Sequence, residues 1–401
     1  MKLKYYMVGG CVRDQLMEKN PHDYDFVVVG ATEDYMKEKY GDSVGEGFPV
    51  YFGLVPGYEH LGKVEIAMAR TEVKIGEGHK GFTFKFSPDV TLEQDLQRRD
   101  FTINAIAQDL DTKEIIDYYG GKEDIKNKII RHVNSDGFIE DPLRVMRMAR
   151  FSAQLGFEIA QETLELSKDI NIGSLTIERV WGEIYKALES ESPEKFFRAL
   201  LLSGHLFHFF PELVKLVDME QAYHDEDAFD HTMMVLQEAI RRNLSIEARF
   251  ALLLHDLGKG ETPEDILPHH YDHNKRSFDI SKEVCLRWKV PCSYEKLATW
   301  FAKEHMRLHM IEEMGLGTLT SFAEAIVKNH YDVEMIIQMS ECDSQERYTV
   351  DWARLKEAIN VIKTTSADDI VEKGFEGKKV GELLHQKRVE ELRKRIFELK
   401  I

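Results

Sequence analysis

The apolar residues of this 401-residue chain change their spacing about a third of the way along. Before that point the runs "YYMV", "FVVV", "PVYFGL" and "VEIAMA" are short. Glycines and polar residues interrupt them, as in strands joined by turns. From about Asp141 the apolar positions recur at helical spacing and largely keep it. A small mixed sheet followed by an all-helical remainder is the expectation, an α+β chain.

In "EDPLRVMRMARFSAQLGF", Asp141 is a candidate N-cap, Pro142 a first helical residue and Gly156 a stop. "LTIERVWGEIYKAL" sets Ile177, Val180, Trp181, Ile184 and Leu188 on one stripe. "SPEKFFRALLLSGHLFHFFPELVKL" reads as a helical pair broken at Gly204 and Pro211. A His- and Asp-rich stretch begins near Gln221, and the last fifty or so residues are charged, helical and end in "HQKRVEELRKRI". The expected segments are 1–136, 137–220, 221–350 and 351–401.

Hydrophobic residues make up 43% of the chain and charged ones 31%, as in an ordinary soluble globular protein. No apolar span is long enough for a transmembrane helix. The first residues lack the length and cleavage site of a secretory signal. The four cysteines, Cys11, Cys285, Cys292 and Cys342, suit neither a CxxC metal site nor a disulfide scaffold. A reducing, cytoplasmic setting is therefore expected. The net charge of −18 argues against a basic nucleic-acid footprint. Basic residues nevertheless cluster at Arg98-Arg99, along Arg144, Arg147 and Arg150, and at Lys387-Arg388 and Arg393-Lys394-Arg395. Such tracks can hold RNA in a salt-dependent way, so composition leaves the partner open.

Two stretches near the start carry chemistry. "YYMVGGCVRD" ends a strand at Gly9-Gly10, with Arg13 in the short helix that follows. Glycine permits close approach of backbone to a phosphate, and a helix start adds amide donors. "PHDYDFVVVG" then brings Asp23 and Asp25, two residues apart, into the next strand on one side. Paired carboxylates there can hold Mg²⁺, which takes few carboxylates plus substrate phosphates. Taken alone, D-x-D describes many solvated loop acids; the nearby glycine turn is what singles this one out. Glu65, in "KVEIAMARTE", reads equally as a third acid or as an exposed strand-edge residue.

"GGCVRD", "DYDF", "RRDFTINA", "EDPLRVMRMARF" and "ERVWGE", in that order, resemble the class II tRNA nucleotidyltransferases, the CCA-adding enzymes. The likeness spans residues 1–190 and continues more weakly to the tail. It implies a polymerase β-like nucleotidyltransferase head, followed by helical neck, HD and tail regions. It implies that C, C and A are added to the 3′ end of tRNA from CTP and ATP, releasing pyrophosphate. By position, Asp23 and Asp25 match the metal-binding aspartates. Gly10, Arg13, Arg99, Asp100, Arg147 and Arg150 match the nucleotide-contacting set, and Arg98-Arg99-Asp100 a ribose and triphosphate motif. Asp141 and Arg144 match the base-reading pair, and Glu178, Arg179 and Glu183 a helix-supporting motif that braces it. The base chemistry agrees. Cytosine and adenine offer an amino group beside an unprotonated ring nitrogen, which a carboxylate and a guanidinium satisfy together. Uracil and guanine reverse that pattern.

The ordered set His231, His255-Asp256 and Asp343 resembles the HD phosphohydrolases, which are attached to one bacterial branch of CCA-adding enzymes. This implies a divalent metal and hydrolysis of phosphate esters, including 2′,3′-cyclic phosphates. "PHHYDHNK" adds His269, His270 and His273, and "KEHMRLHM" adds His305 and His309. His273 fits the family pattern best; for each of the five, a polar loop or satisfied surface position is the expectation. Two other readings stand beside the lead: a bacterial poly(A) polymerase-like enzyme, and a signalling hydrolase whose head only senses a nucleotide.

Overall fold

The computed structural model describes residues 3–21, 23–44, 49–74, 82–222, 225–345 and 350–399. It divides into two compact units, Met1–Leu206 and Phe207–Ile401.

The first unit holds the sheet. Its first eight strands are β1 (Lys4–Val8), β2 (Asp25–Val29), β3 (Val50–Gly53), β4 (Val64–Met68), β5 (Arg70–Lys74), β6 (Phe82–Phe86), β7 (Ile106–Asp109) and β8 (Ile115–Asp117), and the short Ile129–Ile130 and Glu158–Ile159 pair apart from them. Six form one sheet in the order β3-β4-β2-β1-β7-β8, while β5 and β6 pair as a separate antiparallel ribbon. The β2–β4 pair is parallel and its neighbours are antiparallel, so the sheet is mixed.

Both faces of the sheet are covered, which is why its central strands read as continuous apolar runs. Met7, Phe26, Val28, Ile66 and Met68 pack into one core, and Tyr6, Val8, Val27 and Ala107 into the other. The alternation follows the two-residue period of the strand. Polar residues are thereby pushed to the strand ends. In register, Val8 lies opposite Asp25, and Asp25 lies beside Glu65. The turn after Val8 and two carboxylates therefore share one end of the sheet.

The helix after β7 and β8 that matters most is Leu143–Leu155. Pro142 already has helical dihedrals, and Asp141 Oδ1 accepts the Leu143 amide at 3.2 Å. Gly156, left-handed at φ 70°, ends the helix. Helix Ile177–Glu189 buries Val180, Ile184 and Leu188 of the expected stripe, while Ile177 and Trp181 stay half-buried.

The second unit is helical. Asp227 caps helix Ala228–Arg241 by accepting the Asp230 amide, and Ser245 caps Ile246–Leu254 by accepting that of Ala248. His273–Trp288, Cys292–His309 and Val333–Ser344 complete the group that carries its polar cluster. The basic final helix, Lys378–Leu399, buries Leu392. Its cations are engaged within the unit: Arg388 pairs with Glu324 at 2.9 Å, Arg395 with Glu357 at 2.9 Å, and Lys387 with Asp369 at 2.5 Å. Among the described residues, no helix is long and apolar enough to cross a membrane.

Candidate active sites

A cleft of about 920 Å³ opens in the first unit, between the carboxylate end of the sheet and helix Leu143–Leu155. Asp25 begins β2, but Asp23 sits in the bend before it and not on the strand. The two still interact. Desolvation pushes the Asp25 carboxyl up, Arg99 opposes this, and the charge of Asp23 adds to the rise. Glu65 is raised as well, by desolvation and then by the charges of Asp25 and Asp23. It lies beside Asp25 in the parallel pair, is exposed, and lines the same cleft. Carboxylates that destabilise one another's charge are what a divalent cation would relieve.

The glycine turn has a steric reason. Gly9 is left-handed at φ 76°, and a Cβ there would lie 2.8 Å from the Arg99 Nη1. The positive φ is the firmer demand for glycine, since the end of the Arg99 side chain could shift away from a Cβ. The bonds of Arg99 are long, 3.4 Å to the Asn104 carbonyl and 3.4 Å to Asp95, and its buried Nε has no acceptor. Of the cleft arginines, it is loosely held and well placed for an anion.

The remaining arginines are fixed by a network. Arg13 Nη1 donates to Asn104 Oδ1 at 2.8 Å, and Asn104 Nδ2 donates to Asp100 Oδ1 at 3.1 Å. Arg147 Nε and Nη2 donate to Asp100 Oδ2 at 2.8 and 2.5 Å. Burial would raise the Asp100 carboxyl, but Arg147, with help from Asn104 and Arg144, holds it well below the usual range. Arg150 is buried, with Nε 2.5 Å from Glu183 Oε2 and its guanidinium 3.9 Å over the Phe151 ring. Arg13 and Arg147 face the same ring at 5.5 and 5.4 Å. Asn104 and Phe151 both lie inside quoted motifs, yet nothing in their residue types marked them as the joints of this network.

Arg144 is buried, and Nη1 and Nη2 donate to the carbonyls of Arg99 at 3.3 Å and Arg98 at 2.5 Å. Asp141 lies 3.7 Å from Arg179. Glu183 is buried against Arg150, and Glu178 is exposed. Gly10 and Arg98 also line the cleft.

In the second unit, His231, His255, Asp256 and Asp343 converge from two helices and the turn after Leu254, and all four are buried. Asp343 Oδ1 is 3.1 Å from both His231 Nε2 and His255 Nε2. Gly258 allows the close packing this needs. A Cβ there would lie 2.2 Å from the His273 carbonyl, so helix His273–Trp288 rests directly on the turn after Asp256. Burial disfavours a charged His255, but Asp256 and Asp343 outweigh it and push it up to about 10. Both carboxyls sit well below their usual range: burial opposes this, and His255 is the chief cause that overcomes it.

The expectation for the further histidines holds in part. His269 is exposed, and His270 is satisfied by Thr262 and the Glu220 carbonyl. His273 and His305 are instead buried, with Nε2 atoms 3.2 and 3.5 Å from Asp256. His309 Nε2 is 2.7 Å from Asp343. A signal was available: His305 and His309 are four residues apart on one helix and so share a face. Lys259, three residues after Asp256, also joins the cluster, 2.5 Å from its Oδ2.

Three family models match the chain. The poly A polymerase head domain covers residues 5–131, and the region described as "Probable RNA and SrmB- binding site of polymerase A" covers residues 156–216. The HD domain covers residues 228–342. The multifunctional CCA protein of Acinetobacter baumannii is 41% identical over 97% of both chains. A Thermotoga maritima CCA-adding enzyme complexed with tRNA superposes with TM-score 0.61 at 23% identity, covering 97% of this chain and 87% of its own. The Bacillus stearothermophilus CCA-adding enzyme in complex with CTP gives 0.64 at 22% identity, covering 99% and 94%. At these identities the two solved structures bear on the fold alone.

Proposed function

This chain belongs to the multifunctional CCA proteins, CCA-adding nucleotidyltransferases that carry an HD domain, and on that premise we propose that it adds C, C and A in turn to the 3′ end of tRNA from CTP and ATP. The observation that carries the reading is the network from Arg13 through Asn104 and Asp100 to Arg147. It fixes guanidinium groups on one side of a cleft whose other side bears Asp23, Asp25 and Glu65.

Mg²⁺ at Asp23 and Asp25 would supply charge stabilisation to the reacting phosphate. Arg13, Arg99, Arg147 and Arg150 hold the triphosphate beside it. The RNA 3′-hydroxyl attacks the α-phosphorus, the bond to the β-phosphate oxygen breaks, and pyrophosphate leaves. Positioning and electrostatics supply most of the acceleration. Asp141 and Arg144 read the base edge. Because Arg144 donates to the Arg98 and Arg99 carbonyls, engaging a base exchanges those bonds and links base choice to the triphosphate loop. Arg179 and Glu183 brace that wall, with Glu178 on the same helix.

In the HD domain, His231, His255, Asp256 and Asp343 would hold a divalent metal, and a set with two imidazoles and two carboxylates would suit a transition ion. The reaction there is hydrolysis of phosphate esters, 2′,3′-cyclic phosphates among them. Water adds to phosphorus, one ribose oxygen is released, and it takes the proton. Under this reading, segments 1–136, 137–220, 221–350 and 351–401 serve as head, neck, HD domain and tail; the three matched regions fall within the first three. The four free cysteines suit a reducing cytoplasm.

The test offers each nucleotide to tRNA lacking its 3′ end. Incorporation that stops after C, C and A is expected. A long A tail would favour a poly(A) polymerase instead, and no incorporation into any RNA would remove the transferase reading.

A further inference from the structure

Helix Ile177–Glu189 carries two residues that the fold itself does not use. Gly182 stands near its middle, and a Cβ there would meet no heavy atom within 4 Å. Its backbone is ordinary helix, without the positive φ that calls for glycine. Glycine inside a helix lowers stability relative to alanine. Neither packing nor backbone conformation accounts for that loss here.

Lys186, one turn further on, is exposed and lines the cleft. Among the described residues it has no hydrogen bond or ion pair. The cleft arginines differ: Arg13 is bonded to Asp14 and Asn104, Arg144 to two carbonyls, and Arg179 is paired with Asp141. Gly182 is three residues after Arg179 and four before Lys186, so it lies between these two cleft residues on the helix surface. Bare backbone flanked by two cations admits the close approach of a sugar-phosphate chain.

The nucleotide and the RNA both bring phosphate to this cleft. Arg13, Arg99, Arg147 and Arg150 already serve the triphosphate, and all four lie before residue 156. Helix Ile177–Glu189 lies wholly within residues 156–216, the stretch matched to the polymerase RNA- and SrmB-binding region. We propose that Gly182 and Lys186 seat the backbone of the RNA just upstream of its reacting 3′ end. Lys186 pairs with a phosphodiester, and Gly182 leaves room for the adjoining ribose. This rests on reading the head as an RNA 3′-end nucleotidyltransferase and deepens it.

Binding of tRNA lacking its 3′ end to the full chain is measured by fluorescence anisotropy, with steady-state CTP incorporation beside it. Lys186→Gln should weaken RNA binding about fivefold and reduce the slope of log affinity against log salt by about one. Lys186→Arg should restore most of both. The KM for RNA should rise in step, and the KM for CTP should not. Gly182→Gln should raise the melting temperature, because glutamine is the better helix former, and yet weaken RNA binding. A packing role would not give those opposite signs. A rise in the KM for CTP instead of RNA, RNA binding unchanged in both variants, or a lower melting temperature for Gly182→Gln overturns the proposal. RNA binding that responds to both variants in a chain that incorporates no nucleotide would uphold the RNA seat and remove the transferase reading. Incorporation by variants that bind RNA normally would do the reverse.

Discussion

In the head, Asp95 and Asp100 are buried against arginines of the cleft that bond them directly. In the HD cluster, Asp256 is buried with both oxygens short of a well-directed hydrogen bond. The first arrangement is balanced by the fold itself. Burial would raise Asp95, but Arg98 and Arg99 hold its carboxyl below the usual range. The second is balanced by other means: the Lys259 ammonium lies 2.5 Å from Asp256 Oδ2, and His255 sits between Asp256 and Asp343. The difference fits two kinds of substrate handling: an open cleft must admit a nucleotide and an RNA end with its arginines already aimed. A small buried centre can instead set histidines and a lysine against its carboxylates.

The comparison is broken most sharply by exchanging losses. Asp25→Asn should lower nucleotide addition by about three orders of magnitude and spare phosphohydrolysis. Asp256→Ala should do the opposite, with both rates measured on each variant. Loss of both activities in either one would mean that the sites are not independent.

Asp100→Ala removes the shared partner of Arg147 and Asn104. Since Arg147 stays about a third open to water, the cost should be about 2–3 kcal/mol rather than the full value of a stranded buried charge. A head-specific thermal transition in calorimetry measures it. The pH dependence has a defined sign. Asp100 is depressed below its ordinary 3.8, so its stabilisation is complete above that value and is lost as pH falls below it. Asp100→Asn should flatten the acid limb of the head transition, and an unchanged limb would remove Asp100 as its cause.

Arg144→Ala should relax discrimination against UTP by about tenfold or more while changing triphosphate affinity less. Unaltered selectivity would remove Arg144 from base reading. The smallest effect is expected in the tail. Arg388→Gln breaks a partly exposed pair with Glu324 and should cost under about 1 kcal/mol by denaturant titration. A larger loss would show that the tail's cations hold the second unit together.

Much of the head was legible because its functional residues sit in contiguous motifs. The turn at Gly9-Gly10, the acids of "DYDF" and the arginines of the Leu143–Leu155 helix could each be named from local pattern. Glu65 could be named but not placed, because only the β2–β4 register sets it beside Asp25. Nor could Asn104 be placed, whose two bonds reach residues of distant motifs. Asp23 was expected on the strand and lies in the bend before it. The HD cluster was less legible. His273, His305 and Lys259 take their meaning from Asp256, and helix packing brings them to it.

The sequence by itself determined which residue types were available, where strands gave way to helices, and where glycine had to stand. Those are local matters of period and backbone freedom. Tertiary structure alone decided which charges meet. It turned Asp256 toward two sets of histidines and closed Arg13 to Arg147 through Asn104 and Asp100. Electrostatic and coordination contacts act over a few ångströms in space, whatever the separation along the chain.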